Sequence, residues 1–248
     1  MAKESKAFGS QRAYKAHLLR GSGGLQGEIQ DLRKDVEEGF QNLEERAGFP
    51  ELYYIDGAGP SAAGADMVLK GANFLQGQSF DEITIEEAAA GSVVLTALKP
   101  GDSNITVEVA LAAALAITFN PATGVLLIEL PAIGDSDDDI ATAINADGAD
   151  TDGYVRATSA GSGDIVADHA AAPMTGGVGD YAGNVVKVGG VECLPANTTG
   201  TTGAAAWTDD TVTVTVPALT PIVATDQANV TLMSDGTRAD ALGAVVQA

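Results

Sequence analysis

Residues 104–130 read NITVEVALAAALAITFNPATGVLLIEL, and the reading of this stretch decides the fold class. Apolar and polar side chains alternate from Asn104 to Val109, which puts Ile105, Val107 and Val109 on one face of a half-buried strand. Leu115–Phe119 and Val125–Leu130 are two further apolar runs. Between them stands Asn120-Pro121-Ala122-Thr123-Gly124, with proline and glycine where a hairpin loop wants them. The Ala-rich run Ala110–Ala116 reads as a loop or a distorted strand. Further on, Asp135-Ser136-Asp137-Asp138-Asp139 precedes Ile140-Ala141-Thr142-Ala143-Ile144-Asn145. The acids can cap a helix start and favour its positive dipole end, with Ile140 and Ile144 pointing the same way.

Outward from this stretch the texture stays β-prone. Strands are expected at Leu52–Ile55, Met67–Leu69, Glu82–Ile85, Val93–Leu98, Tyr154–Thr158, Val185–Val188, Thr211–Val216, Val230–Met233 and Leu242–Val246. Gly57–Gly64 reads as loop and Gly161–Gly163 as a turn. Residues 211–216, TVTVTV, alternate strictly, so one face is apolar and the other hydroxylic. Composition agrees: 45% of the 248 residues are hydrophobic but only 5% aromatic. Small and β-branched side chains suit pleated surfaces. Each buries little area, which points to partner subunits as a further source of stability.

The N-terminus is different. Met1–Ser22 is basic and irregular, and a glycine-rich break follows through Gly24. Leu25, Ile29, Leu32, Val36, Phe40 and Leu43 are then spaced 4, 3, 4, 4 and 3 apart, a helical stripe close to a heptad seam on an otherwise charged helix. Gly48 and Pro50 stop it. The expected fold is mainly β, as sandwich or partly open barrel modules, with an N-terminal amphipathic α-helix and one short internal helix. The division along the chain is a basic arm and break at 1–24, the amphipathic helix at 25–49, a β-rich module with the short helix at 50–178, and a C-terminal β-rich module at 179–248.

Charge is segregated along the chain. Residues 1–46 hold eight basic and eight acidic residues, whereas residues 47–248 hold five and twenty-six and carry the whole net charge of −21. Within the first twenty residues Lys3, Lys6, Arg12, Lys15 and Arg20 face Glu4 alone. An acidic body repels nucleic acid. The basic arm can seek an acidic surface, and the narrow apolar stripe wants a partner helix or a groove. The partner-binding candidates are therefore Lys3, Lys6, Arg12, Lys15, Arg20, Leu25, Ile29, Leu32, Val36, Phe40 and Leu43. No apolar run is long enough to span a membrane and no secretory leader pattern is visible.

Groups for catalysis are scarce. His17 and His169 are the histidines, and Cys193 is the one cysteine, a small thiol expected to pack as a hydrophobe. Neither His169 nor Cys193 has a neighbour in sequence that would activate it. No phosphate loop, zinc spacing or nucleophile elbow occurs. Asp147, Asp150 and Asp152 before Gly153 offer oxygen ligands of the kind Ca²⁺ takes, but the run lacks a full loop and its terminal bidentate glutamate, so a solvated acidic loop is the expectation. No catalytic residue, cofactor or metal is assigned, and the chain is read as no enzyme.

From Leu95 to Gly177 the order of features is a Gly101–Asn104 turn, the alternating strand, the hairpin, the capped helix ending Ala143–Asp147, the strand at Tyr154–Thr158, the Gly161–Gly163 turn and a closing Met174–Gly177. This order resembles a β-rich module of structural proteins of tailed bacteriophages, found in capsid-surface and tail proteins. The resemblance covers about a third of the chain and transfers no functional residues. It implies a virion structural protein, made in the host cytoplasm and assembled into the particle. The expectation within that class is a capsid decoration or cement protein, a homo-oligomer such as a trimer, bound to the major capsid protein or another virion protein. A tail, neck or fibre-attachment protein is the alternative. A glycan-binding adhesin, from another class, is disfavoured by the one tryptophan and five tyrosines.

Overall fold

A computed structural model of the chain describes residues 50–56, 64–87, 91–146, 148–159, 163–196, 205–218, 227–238 and 242–246. The chain divides into Met1–Gly48 and Phe49–Ala248, and the described residues belong to the second unit. That body opens with β1 (Glu51–Asp56) and β2 (Asp66–Ala72). It continues with β3 (Glu82–Glu86), β4 (Ser92–Ala97), β5 (Thr106–Ala112), β6 (Ala116–Asn120), β7 (Val125–Pro131) and β8 (Asp135–Ser136). Helix α1 (Asp137–Ile144) comes next, then β9 (Val155–Ser159), β10 (Asp164–Ile165) and β11 (His169–Pro173). The last strands are β12 (Val185–Val188), β13 (Val191–Pro195), β14 (Thr211–Thr215), β15 (Gln227–Ser234), β16 (Thr237–Arg238) and β17 (Leu242–Val246). The fold is mainly β, with one short helix among the described residues.

The first and last strands form one sheet, in the order β1-β2-β14-β13-β12-β15, with β16 and β17 side by side on the far edge of β15. Every pairing in it is antiparallel, and β17 comes up to β1, so the sheet curls into a nearly closed barrel. Two tight hairpins set its register: β12 turns into β13 at Gly189-Gly190 and β15 into β16 at Asp235-Gly236. All four turn residues have positive φ, the conformation whose twist matches two antiparallel strands. On β14, Val212 and Val214 point inward and the threonines face out, as strict alternation requires. They join Met67, Leu69, Val186, Val188, Val230 and Leu232 around Phe74 and Trp207. The Trp207 indole N–H donates to the Phe74 carbonyl at 3.3 Å, so the large side chain enters the core without an orphaned donor.

Residues 82–175 build a second core. The sheets β3-β4-β9 and β11-β5-β7-β6 enclose it together with α1. Ile105, Val107 and Val109 all lie in it, as their spacing predicts. The hairpin of β6 and β7 also forms as predicted. What periodicity does not reveal is that β7 runs parallel to β5 and lies between β5 and β6. Ala113–Leu115 carry the chain past the end of β7. Two strand spacings are about 10 Å, which four Cα steps cover. The Ala-rich run is thus the end of one strand, a crossing, and the start of the next.

Helix α1 is capped by Ser136, whose hydroxyl accepts the Asp139 N–H at 3.0 Å; the acids fill the first turn, where the dipole favours them. Ile140, Ala141 and Ile144 enter the core. At the other end Asn145 is fully buried: its amide donates to the Ala157 carbonyl and its Oδ1 accepts the Ala157 N–H, both at 2.8 Å. One side chain here does the work of an extra strand on β9.

The chain leaves the barrel after β2 and returns before β12, and the two passages run side by side as a neck. Ser79 and Val178 exchange backbone hydrogen bonds, as do Glu82 and Thr175. Gln78 and Asn184 pair through their amides, and Ser234 accepts from Gln78 and donates to the Phe74 carbonyl at 2.6 Å. Asp81, 2% exposed, accepts the Ser103 N–H and hydroxyl at 2.6 and 2.7 Å and the Gly177 N–H at 2.7 Å. A cut at 178/179 therefore does not follow the sheets: β1 and β2 pair with the C-terminal strands, and 82–175 is an insert in the barrel.

Replacing Asp81 with alanine leaves three part-buried donors without their acceptor at once. Asp81→Ala should lower the unfolding free energy by about 3 kcal/mol, read from denaturant unfolding curves. Cys193 supplies a second check. It is buried in the barrel core, and burial pushes its thiol up to about 12. The folded protein should resist a maleimide at pH 8 and react once unfolded. Because the folded thiol holds its proton where the unfolded one loses it, stability should fall as pH rises from about 9 toward 12, and Cys193→Ala should lose that slope.

Candidate functional site

The eleven partner-binding candidates, from Lys3 to Leu43, lie outside the described residues, as do His17, Asp147 and the first two residues of the Gly161–Gly163 turn. The remaining candidates fall in the body and can be placed. Cys193 sits in the barrel core, whereas His169 is half-buried on β11 of the insert, opposite Val109, so the two are not brought together. His169 Nε2 is buried without a hydrogen-bond partner.

Most carboxylates of the two acidic clusters are engaged in local bonding, although Asp137 Oδ1 is buried without a partner. Asp139 accepts from the Ser136 hydroxyl and Asp138 from the Ser159 hydroxyl, while Asp137 accepts the Ser92 N–H at 3.4 Å. These bonds tie the start of α1 to β4 and β9. In the following loop Thr151 donates to the Ile144 carbonyl, Asp152 accepts the Gly148 N–H, and Asp150 faces solvent. Among the described residues no three His, Cys, Asp or Glu side chains converge on a metal position.

A charged group outside these loops joins insert to barrel. Lys99 Nζ lies 4.6 Å from the centre of the Tyr181 ring and 3.8 Å from Glu192 of β13. Burial pulls the Lys99 pKa down, while Glu192 and Asp180 oppose that pull. Burial likewise raises Tyr181, whose hydroxyl has no hydrogen-bond partner. Beside them Gly153 of the insert packs directly on Leu194 of β13. The arrangement is a strut: a half-dry cation held between an aromatic face and a carboxylate.

The insert also presents open surface. On the outer face of its four-stranded sheet Glu108 and Glu129 are diagonal neighbours on β5 and β7, amid Ala110, Ala112, Val125 and Leu127. At the end of that sheet Leu111, Ile133 and Val166 are exposed, Ile133 by 85%. The Asp168 carboxylate holds this end together by accepting the Leu111 N–H at 2.7 Å. Basic side chains do not offset the acids here: Lys99 is committed to the strut and Arg156 is half-buried on β9. The geometry therefore offers acidic and apolar contact surface. Sequence reasoning pointed to contact surface too, but at the N-terminus; the open sheet face depends on strand order, which no residue spacing encodes.

No helix among the described residues is long and apolar enough to cross a membrane. Comparison of the chain with protein-family models, with curated proteins and with solved structures gave no match in any of the three.

Proposed function

We propose that this chain is a structural protein of a tailed-bacteriophage virion, and within that class a capsid decoration protein that binds the outer capsid surface and stabilises the head. The insert is the observation that carries the reading. Leu95 to Gly177, whose order of features resembles the phage module, covers the insert from within β4 to the neck and leaves out β3. We read the outer sheet as a partly open barrel and the insert as a sandwich-like module mounted on it. A body tied together by buried polar bonds and carrying an acidic exterior suits a part that stands in solvent on a particle. The basic arm and the amphipathic helix then serve attachment and homo-oligomer formation, with several weak contacts adding up through linked copies.

The test is the position of label raised against the protein on intact particles. Label over the whole head supports decoration; label at one vertex or along the tail replaces it with the tail or neck role. Deleting residues 1–20, which carry a net charge of +4, should weaken attachment and make what remains less sensitive to salt. Circular dichroism and melting of the truncated chain should match those of the full protein. Attachment indifferent to the deletion would refute the role of the arm.

A further inference from the structure

We propose that the barrel wall around Tyr53 and Tyr54 is a binding platform for a neutral saccharide, with Lys70, Thr211 and Asp210 supplying the polar contacts. The starting observation is a break in alternation. Leu52 points into the barrel, so a regular strand would turn Tyr53 out and Tyr54 in. Instead both are exposed, by 56% and 55%. The register explains it: Leu52 pairs with Gly71 and Tyr54 with Lys70, which leaves Tyr53 as one extra residue in a bulge. Gly71 makes room for the bulge, because a Cβ there would strike the Glu51 carbonyl and the Phe74 ring. The scarcity of aromatics weighs against a glycan-binding role for the chain as a whole, but the fold holds two of its five tyrosines side by side in water, where burial would have been favourable.

What stands beside the rings gives the ligand class. Tyr54, Lys70 and Thr211 are direct partners across β1, β2 and β14, so they form one row on the outer face. Lys70 Nζ donates to the Thr211 hydroxyl at 2.9 Å, and that hydroxyl donates to Asp210 at 3.0 Å. Thr208 donates to the same carboxylate oxygen at 2.9 Å, and these bonds hold the Asp210 pKa below its usual range. A donor, Lys70, therefore sits in the row next to Tyr54, and an ionised acceptor, Asp210, is tied to the end of that row through Thr211. A pyranose needs that combination: its C–H face lies on an aromatic ring while its hydroxyl edge both donates and accepts. The surroundings, with Asp56, Asp66 and Thr213, are too polar for an apolar protein face. A nucleic acid also stacks on tyrosine, but residues 47–248 carry −21 and repel its phosphates.

The test uses the full chain with its five tyrosines ring-labelled with ¹³C, titrated with cellohexaose, mannohexaose and chitohexaose to concentrations on the order of 1 mM. The ring signals of Tyr53 and Tyr54 should move with at least one hexasaccharide, while those of the half-buried Tyr154 and Tyr181 stay still. Tyr54→Ala should weaken that binding about tenfold and Lys70→Met about fivefold, with melting temperatures unchanged and Tyr54→Phe retaining most of the affinity. No shift with any of the three sugars, equal shifts of all tyrosine rings, or unchanged binding by Tyr54→Ala would each overturn the proposal. The virion reading stands or falls separately, on the label and on the arm deletion.

Discussion

The body depends on a buried polar joint. Two chain passages cross between the cores, and a crossing exposes backbone groups that neither sheet can pair. Asp81 answers two of them, the Ser103 and Gly177 N–H groups, and the Ser103 hydroxyl as well; the Gln78–Asn184–Ser234 set answers several more. An unpaired buried donor or acceptor costs about 1–3 kcal/mol, so a joint with many such groups is stable only when nearly all are satisfied. That requirement also fixes geometry: amides and carboxylates have definite directions, and the insert is held in one orientation on the barrel. The Lys99–Tyr181–Glu192 strut works on the same contact from a second side.

Much of the β architecture was legible because its signal is local. Val107 and Val109 alternate with polar residues and are buried; Val212 and Val214 do the same in the barrel. The short helix was legible from its acids and from Ile140 and Ile144, although the cap itself is Ser136. Where the reading missed, the physical reason differs from case to case. Strand β11 reads HAAAP, without a β-branched residue, and is ordered by pairing with β5 rather than by propensity. The parallel union of β5 and β7 joins strands that a crossing separates, which periodicity cannot express. The two-residue turns at Gly189-Gly190 and Asp235-Gly236 are hairpin signals that the reading passed over, and with them β13 and β16.

The candidate site was less legible than the fold. Asp81, Gln78 and Asn184 are single polar residues in loops, and nothing in their spacing separates a buried joint from a solvated turn. Tyr53 and Tyr54 share the difficulty in reverse: adjacent residues of a strand ordinarily face opposite ways, and only the bulge opposite Gly71 brings both rings to the surface. The basic arm and the apolar stripe of the N-terminal segment rest on charge and period alone, and the attachment role proposed for them rests there too.

The insertion has a consequence in time. Lys70 of β2 and Thr211 of β14 are adjacent in the barrel but 141 positions apart in the chain. Contacts so distant in sequence form slowly, because a long loop must close before any of them is rewarded. The insert is contiguous, and its widest strand pairing, Thr106 with Pro173, spans 67 positions, fewer than half as many. During synthesis the whole of 82–175 emerges from the ribosome before β12 does, so the inner module can order itself while the barrel is still half made. The neck then brings Ser79 beside Val178, which delivers the late strands to the early ones. The barrel is then the part whose closure waits for the end of the chain, around the base of an insert made earlier.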